Sequence, residues 1–288
     1  MKKQAGPLVA LLSALVLIYV SCSSVPKNSG DIYVIRAMAE EELESGNKAA
    51  SRGDYYNALL LIDESKRKAI LTDAPSLIIR SGLARGNVLF YLGRTEEAFE
   101  EWEQAVAEAQ KLGDGELLSV CRIYHARGGL VSGRDSAQSV LDVVNREADN
   151  VESDRYYVAF SWQVRGLALR ALSRYGEAED AVTHSLEINE KDLYLENVSY
   201  DWYTIASIRS LAGNTSGALD ALESSITVDR RIENSWGLAA SWRAMGDVYQ
   251  KAGRSREAGE AYQRARAIYI AMGNDYEAAQ IDKRMENL

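Results

Sequence analysis

A forty-residue repeat constrains this chain more than any other feature of its sequence. The repeat is marked by an alanine that follows a glycine or a serine by five residues. These alanines are Ala58, Ala98, Ala178, Ala218 and Ala258. The slot at 138 holds Gln138, but Gly133 still occupies the turn position, so a third unit is present in degenerate form. Six units of equal length predict a stack of similar modules, each too small to bury its apolar face alone.

A second set of landmarks precedes each of these alanines. Small residues stand twelve positions before them, and tryptophans stand four positions earlier still in the last three units. The residues predicted to have structural roles here are Gly46, Gly86, Gly166, Gly246, Trp162, Trp202 and Trp242. This spacing predicts two antiparallel helices per unit, with small side chains where the two helices cross. A glycine after the first helix can adopt the positive φ that ends a helix.

The composition agrees with a chain that is almost entirely helical. Only 3 of the 288 residues are proline, and Pro7 and Pro26 both precede the repeats. Helix interiors exclude proline, so its scarcity favours helices throughout the remainder. The formal net charge of −9 argues against a nucleic-acid partner, and 2 cysteines are too few for a disulfide framework.

The spacing W-x3-G/A followed by G-x4-A-x6-A/S resembles the tetratricopeptide repeat (TPR), in a variant longer than the usual ~34 residues. Units of this length are similar to those of kinesin light chains and of bacterial peptide-sensing regulators. The resemblance implies an all-α, right-handed α-solenoid of about six TPR-like helix pairs with a C-terminal capping helix, over residues 32–288. The implied units are 39–72, 79–112, 119–151, 159–192, 199–232 and 239–272, with the cap at 275–288.

The N-terminus is typical of an export signal. Two lysines precede an apolar run that is too short to span a bilayer and that ends just before Cys22. This arrangement resembles the lipobox of bacterial lipoproteins, with Tyr19 in place of the usual aliphatic residue. The resemblance implies a lipoprotein signal peptide over 1–21, a lipidated Cys22 and a tether over 22–31. The alternative is an ordinary cleaved signal in which Cys22 is a bystander.

The residue after Cys22 bears on location. Ser23 resembles the sorting signal of outer-membrane lipoproteins in Gram-negative bacteria. We therefore expect an exported protein that is lipid-anchored to a bacterial membrane and faces the periplasm, with the outer membrane slightly favoured.

The TPR resemblance also implies a concave groove lined by the first helix of each unit. The implied groove residues are Asn47, Arg80, Asn87, Phe90, Arg127, Phe160, Arg170, Tyr200, Tyr203 and Arg243. Asn47 and Asn87 occupy a slot in which one amide can both donate to and accept from a ligand backbone. Arginine and aromatic residues are typical of binding hot spots, so this groove is the expected surface for a protein or peptide partner. The alternative is that aliphatic residues such as Leu43 and Leu83 close the groove by packing on the next unit.

No catalytic motif stands out in the sequence. Cys121 and His125 are four residues apart on one predicted helix, which could pair a thiol with a base. Packing between helices is the stronger interpretation, because a reactive cysteine also needs exposure and an orienting group. We expect no enzyme activity, no cofactor and no metal site.

Two hypotheses of different kinds follow. The leading one is a membrane-anchored scaffold that binds a protein or peptide through its concave face in the bacterial envelope. The second is an accessory lipoprotein of a TRAP-type solute transporter, which predicts a ring-like homo-oligomer with a pore or a small-molecule pocket. An enzyme that uses Cys121 and His125 is a remote third.

Overall fold

The computed structural model describes residues 29–288, and the predicted signal peptide and Cys22 lie outside these described residues. Residues 29–288 form α-helices joined by short turns, with no strand in that range. The helices are α1 (Ser29–Ser51), α2 (Tyr55–Leu71), α3 (Pro75–Tyr91), α4 (Thr95–Leu112), α5 (Gly115–Ser132), α6 (Ala137–Glu147), α7 (Arg155–Ala171), α8 (Tyr175–Lys191), α9 (Leu195–Leu211), α10 (Thr215–Arg231), α11 (Ser235–Lys251), α12 (Ser255–Ala271) and α13 (Asp275–Met285). Each helix packs against the next along the chain, which confirms the predicted all-α solenoid.

The turns recur every twenty residues, which is half of the sequence repeat. A residue with positive φ stands at each of these turns between 53 and 273 except at 153. These residues are Gly53, Asp73, Gly93, Gly113, Gly133, Ser173, Leu193, Gly213, Glu233, Gly253 and Gly273. Polar residues then begin several of the next helices: the Asp114 side chain accepts the backbone N–H of Leu117 at 2.9 Å. The two helices of a unit are therefore modules of nearly equal length.

This regular spacing corrects the predicted unit boundaries. The first helix of a pair begins about four residues before the expected start, as at Pro75 instead of 79 and Leu195 instead of 199. The landmarks in the sequence lie in the middle of the first helix, whereas the turn residue fixes where that helix begins. At the N-terminus, α1 already begins at Ser29, inside the range predicted as a tether.

Small residues let the paired helices approach closely. The five repeat alanines are completely buried. A Cβ atom on Gly46 would lie 2.6 Å from Ile62 Cγ1, which is closer than side chains can pack. Gly166 faces Val182 and Gly246 faces Tyr262 in the same way. The partner side chain fills the space that each glycine leaves open.

The phased tryptophans lie at the edges of this core rather than inside it. Trp162, Trp202 and Trp242 are all half-buried. The ring of Trp162 stacks on His184 with centroids 4.7 Å apart, and the guanidinium of Arg264 lies 4.4 Å from the Trp242 ring. Their indole rings thus cover the seams between helices.

The third pair departs from the pattern. Its second helix, α6, has 11 residues and is followed by a 3-10 turn at Ala148–Asn150. Trp102 of α4 is fully buried and contacts both Gly86 of α3 and Gly128 of α5. One large side chain therefore joins the second pair to the third.

No helix within residues 29–288 is both long and apolar enough to cross a bilayer.

Candidate functional site

The superhelix curves far enough for its first pair to touch its sixth. The Arg52 Nη2 donates to the backbone carbonyl of Ile232 at 3.0 Å, across 180 residues of sequence. The rings of Tyr55 and Trp236 meet edge to face, with centroids 6.0 Å apart. Tyr55 also stacks on Tyr91 at 5.3 Å. We call this set of side-chain contacts the closing contact.

A cavity of about 350 Å³, partly open to solvent, lies beside the closing contact. Its lining comes from helices between α1 and α11. Seven of the ten predicted groove residues line it, namely Asn47, Asn87, Arg127, Phe160, Tyr200, Tyr203 and Arg243. The concave face of the solenoid is therefore a cleft that the closing contact narrows and that stays partly open to solvent.

The remaining three predicted groove residues lie elsewhere. Phe90 packs against Trp102, with ring centroids 5.9 Å apart, because its position on α3 faces the neighbouring helix. Arg170 donates to the Ser207 hydroxyl at 3.1 Å, which turns its head group towards the next pair. Arg80 is exposed near the start of α3, outside the cavity.

The aliphatic residues weighed as an alternative lining are core residues. Leu43 and Leu83 are almost fully buried, and neither lines the cavity. The cavity wall is instead rich in tyrosine. Tyr124 stacks on Phe160 with centroids 4.3 Å apart, and Tyr200 lies beside Tyr203.

Arg127 carries a positive charge into the cavity. Its Nη2 donates to the Tyr91 hydroxyl at 2.9 Å, and its Nε is buried with no hydrogen-bond partner among residues 29–288. No carboxylate of those residues lies within ion-pair distance of it. The charge of Arg127 lowers the pKa of the Tyr91 hydroxyl, and this effect outweighs the burial that would raise it. The Oδ1 atom of Asn87 is also buried without a partner. We call Asn87, Tyr91 and Arg127 the Arg127 side of the cavity.

The opposite side carries acidic and amide groups. Asp229 is completely buried; its Oδ1 accepts from Asn234 Nδ2 at 2.9 Å, whereas its Oδ2 has no partner among the described residues. Burial raises the pKa of the Asp229 carboxyl from 3.8 to about 6. The Oδ1 of Asn189 is likewise buried and unpartnered, and Glu196 lines the same part of the cavity. We call Asn189, Glu196 and Asp229 the Asp229 side.

A second buried aspartate shows what a satisfied carboxylate is like in this fold. Asp201 accepts hydrogen bonds from Gln163 at 3.0 Å, Ser185 at 3.0 Å and Asn189 at 2.7 Å. Burial still raises the pKa of Asp201 to about 6, against the lowering effect of those bonds. Asp229 has fewer partners and faces the cavity.

Sequence reasoning missed Asn189 and Asp229 because it considered only the first helix of each pair. It missed Glu196 of α9 because that residue precedes the predicted start of its unit at 199. Asn189 and Asp229 lie on second helices, at slots that correspond by the forty-residue period to Ala69 and Ala109. Polar residues in a slot that holds alanine elsewhere were the available signal. Tyr55 and Trp236 had no such signal, because they meet only through the curvature of the whole superhelix.

The Cys121 and His125 pair does not form a nucleophilic site. Cys121 is completely buried, and burial raises the pKa of its thiol to about 12. The His125 ring packs edge to face on Phe99 at 5.2 Å. Among residues 29–288, no three histidine, cysteine or acidic side chains are grouped as a metal site would require.

Solved structures share this fold. A Rap protein complexed with Competence and Sporulation Factor aligns with a TM-score of 0.60 at 13% identity, over 85% of this chain and 73% of that one. Bacillus thuringiensis PlcR, in complex with the peptide PapR7 and DNA, aligns with a TM-score of 0.57 at 13% identity, over 78% and 83%. TPR-like repeats described as kinesin light chain repeats from Podospora anserina align at 0.52 and 21% identity, over 69% and 97%.

The fold is therefore that of a TPR-type repeat protein, as the sequence predicted. No protein-family model matches the chain, and the comparison with curated proteins gives no match.

Proposed function

We propose that this protein is a membrane-anchored TPR-type receptor or scaffold of the bacterial envelope that holds a peptide segment inside its superhelix. The observation that carries the proposal is the cavity on the concave face, which brings together arginine, asparagine and tyrosine side chains from six helix pairs. Two structures with the same fold, the Rap protein and PlcR, are complexes with a signalling factor or a peptide.

The size of the cavity favours a short segment over a folded domain. Small-ligand sites in proteins typically have volumes of ~300–1,000 Å³. The cavity of about 350 Å³ lies near the lower end of that range and is narrowed by Arg52, Tyr55 and Trp236. A few residues of extended peptide fit this description. A larger partner would have to thread a terminus or a loop into the cavity.

The membrane anchor rests on the sequence alone. A lipidated Cys22 followed by a short tether would keep the cavity close to a membrane, with the outer membrane slightly favoured by Ser23. Two or three acyl chains suffice for stable anchoring. The test is phase partition in detergent: the wild type should enter the detergent phase, and Cys22→Ala should remain in the aqueous phase. Equal partition of both would refute the anchor and leave the cavity proposal intact.

Capture is tested by cross-linking in cells followed by mass spectrometry. The tagged wild type is compared with the triple variant Asn47→Ala, Asn87→Ala, Arg127→Ala. A partner that is lost only from the variant would support the cavity as the working surface. A partner retained equally by both would place the binding site on the outside of the solenoid.

The cavity also suits the second hypothesis, an accessory protein for solute transport, because that role predicts a small-molecule pocket. It further predicts a ring-like oligomer. Native mass spectrometry of the detergent-purified chain separates the scaffold hypothesis from the transporter hypothesis, since a monomer would argue against the transporter role.

A further inference from the structure

The inference below rests on the proposed function and names the chemistry of the occupant. We infer that the cavity takes a peptide that presents a free carboxylate to Arg127. The arginines of residues 29–288 differ in their ion-pair and hydrogen-bond partners. Arg122, Arg209 and Arg243 each pair with a glutamate, at 3.2, 2.7 and 3.1 Å. Arg127 is half-buried and lines the cavity, yet its one hydrogen bond among those residues goes to a phenol.

A half-buried guanidinium without a counter-charge has lost part of its hydration and gained no ion pair in return. Arginine stays protonated in proteins, so Arg127 cannot escape the cost by losing its proton. Removing a charge from water without pairing it destabilises the folded state. The chain as a whole carries a formal net charge of −9, so acidic residues are plentiful, but none is placed beside this guanidinium. The missing negative charge can be supplied by the occupant of the cavity.

The local geometry fits a carboxylate. The guanidinium of Arg127 is a planar fork of N–H groups, and such forks bind the two oxygens of a carboxylate side by side. Its Nε is buried, so the contacts would be made by the Nη atoms. Tyr91 accepts a hydrogen bond from Arg127, which leaves its own O–H free to donate. One carboxylate could therefore receive hydrogen bonds from both residues. To do so, its oxygens would displace or share the existing contact between Arg127 and Tyr91.

The charge balance favours a carboxylate over a phosphate. Arg127 and Arg243 are the two cationic residues of the described chain that line the cavity, and Glu277 already neutralises Arg243. On the Arg127 side, one uncompensated positive charge matches the single charge of a carboxylate. Glu196 and Asp229 line the opposite side and would disfavour a ligand with a second negative charge. The source of that carboxylate is either the C-terminus of the peptide or an aspartate or glutamate side chain, and the experiment separates the two.

The experiment uses the full chain purified in detergent and three pools of random hexapeptides. The first pool has free C-terminal carboxylates and contains no aspartate or glutamate. The second is the same pool with C-terminal amides, and the third is amidated but includes aspartate and glutamate. Affinity selection with mass-spectrometric readout, followed by calorimetry on the selected peptides, measures binding.

We expect the wild type to bind free-acid peptides about tenfold or more tightly than the matched amides, because hydrogen bonds to a charged group are strong. If the third pool instead supplies the tightest ligands, the carboxylate is a side chain. Arg127→Gln should abolish the preference in either case. Arg165→Gln is the matched control, since Arg165 lies against the Trp162 ring outside the cavity, and it should keep the preference.

Two further results keep the outcomes distinct. Arg127→Gln removes an unpaired charge, so its melting temperature should not fall; should it unfold, Arg127→Lys keeps the charge without the fork and should show a weakened preference. Equal binding of acidic and neutral peptides by the wild type would overturn the carboxylate inference while leaving peptide capture in place. If no pool binds, the proposed function itself fails.

Discussion

The two sides of the cavity are both polar, but within the described residues the Arg127 side lacks a negatively charged partner and the Asp229 side lacks a hydrogen-bond donor. The Arg127 side presents a cation whose one hydrogen bond among residues 29–288 goes to Tyr91. The Asp229 side presents a carboxyl with an unpartnered oxygen, next to Glu196. Arg127 forms no ion pair with either acid. The fold therefore holds opposite charges apart within one cavity, at a cost to its own stability.

The two sides also differ in how they are built. The Arg127 side depends on Trp102, which contacts both Gly86 and Gly128. Gly86 directly precedes Asn87, and Gly128 directly follows Arg127. The Asp229 side lies where second helices cross first helices, and two of its polar groups, Asn189 and Asp229, replace alanines. Uncompensated polar groups of this kind are common at functional sites, where stability is exchanged for binding.

Removal of Trp102 should have the largest effect and should act on the Arg127 side. Trp102→Ala deletes a fully buried indole between α3 and α5 and should cost roughly 3–5 kcal/mol of unfolding free energy. Urea denaturation followed by circular dichroism measures this loss. Val182→Ala, at the corresponding slot of the fourth pair, is the control with the smaller loss. An equal loss for both variants would mean that Trp102 has no special role in joining the second and third pairs.

The Asp229 side is tested by pH. Folding raises the pKa of the Asp229 carboxyl from 3.8 to about 6, so the folded state holds the proton more tightly. The stabilisation from this proton is present below pH 3.8 and is lost as the pH rises through about 6. Asp229→Asn should therefore be more stable than the wild type at pH 7.5, by up to roughly 3 kcal/mol, with little difference at pH 4.

Asp201→Asn serves as the comparison for that variant. Its carboxylate accepts three hydrogen bonds, and an amide in its place would turn a donor towards a donor, so a smaller gain is expected. Denaturation midpoints at several pH values give both differences. Parallel pH profiles for Asp229→Asn and the wild type would show that the ionised Asp229 carboxylate does not lower the free energy of unfolding.

The loss of a single hydrogen bond should weaken the closing contact. Arg52→Ala removes the bond to the Ile232 carbonyl and should cost about 1 kcal/mol or less. The distance between spin labels at Tyr56→Cys and Glu233→Cys, in a Cys22→Ser background, should then become broader and longer. Cys121 is buried and should not label. An unchanged distance distribution would indicate that Tyr55 and Trp236 suffice to hold the contact.

The smallest expected effect concerns backbone strain next to the Asp229 side. Leu193 is an exposed residue with φ of 61°, a conformation that suits glycine. Leu193→Gly should stabilise the protein by about 0.5 kcal/mol once the greater entropy of glycine is subtracted. Leu60→Gly, at an exposed leucine inside α2, should destabilise it. If the turn is strained, thermal melts should show a higher melting temperature than the wild type for Leu193→Gly and a lower one for the control variant.

Much of the fold could be predicted because the repeat is local. Gly46, Ala58 and Gly246 mark close helix crossings, and such crossings demand small residues wherever they recur. The first helices were predicted to start about four residues too far along the chain, even after the glycine turn at Gly113, because the landmarks lie in the middle of those helices. At Asp73 and Leu193 the turn also lacks a glycine. A residue with an ordinary side chain in a strained turn leaves no recognisable pattern.

The site was harder to predict because its closure depends on distant residues. Asn47, Asn87 and Arg127 follow from the TPR frame, but Tyr55 meets Trp236 only after the superhelix has curved through five pairs. Small differences in curvature at each unit add up over that distance. Phe90 and Arg170 were misplaced for a related reason, since a small rotation of a helix moves a residue from the cavity to the seam with its neighbour.

The most direct test of a binding site inside the superhelix is to fill the cavity. Ala240 lines the cavity, whereas Ala252 is exposed outside it. Binding of the peptides selected by the wild type is measured by calorimetry for Ala240→Trp and Ala252→Trp, with melting temperatures as a check on folding. We predict that Ala240→Trp loses binding and that Ala252→Trp binds as the wild type does. Wild-type affinity in both variants would contradict a site inside the superhelix.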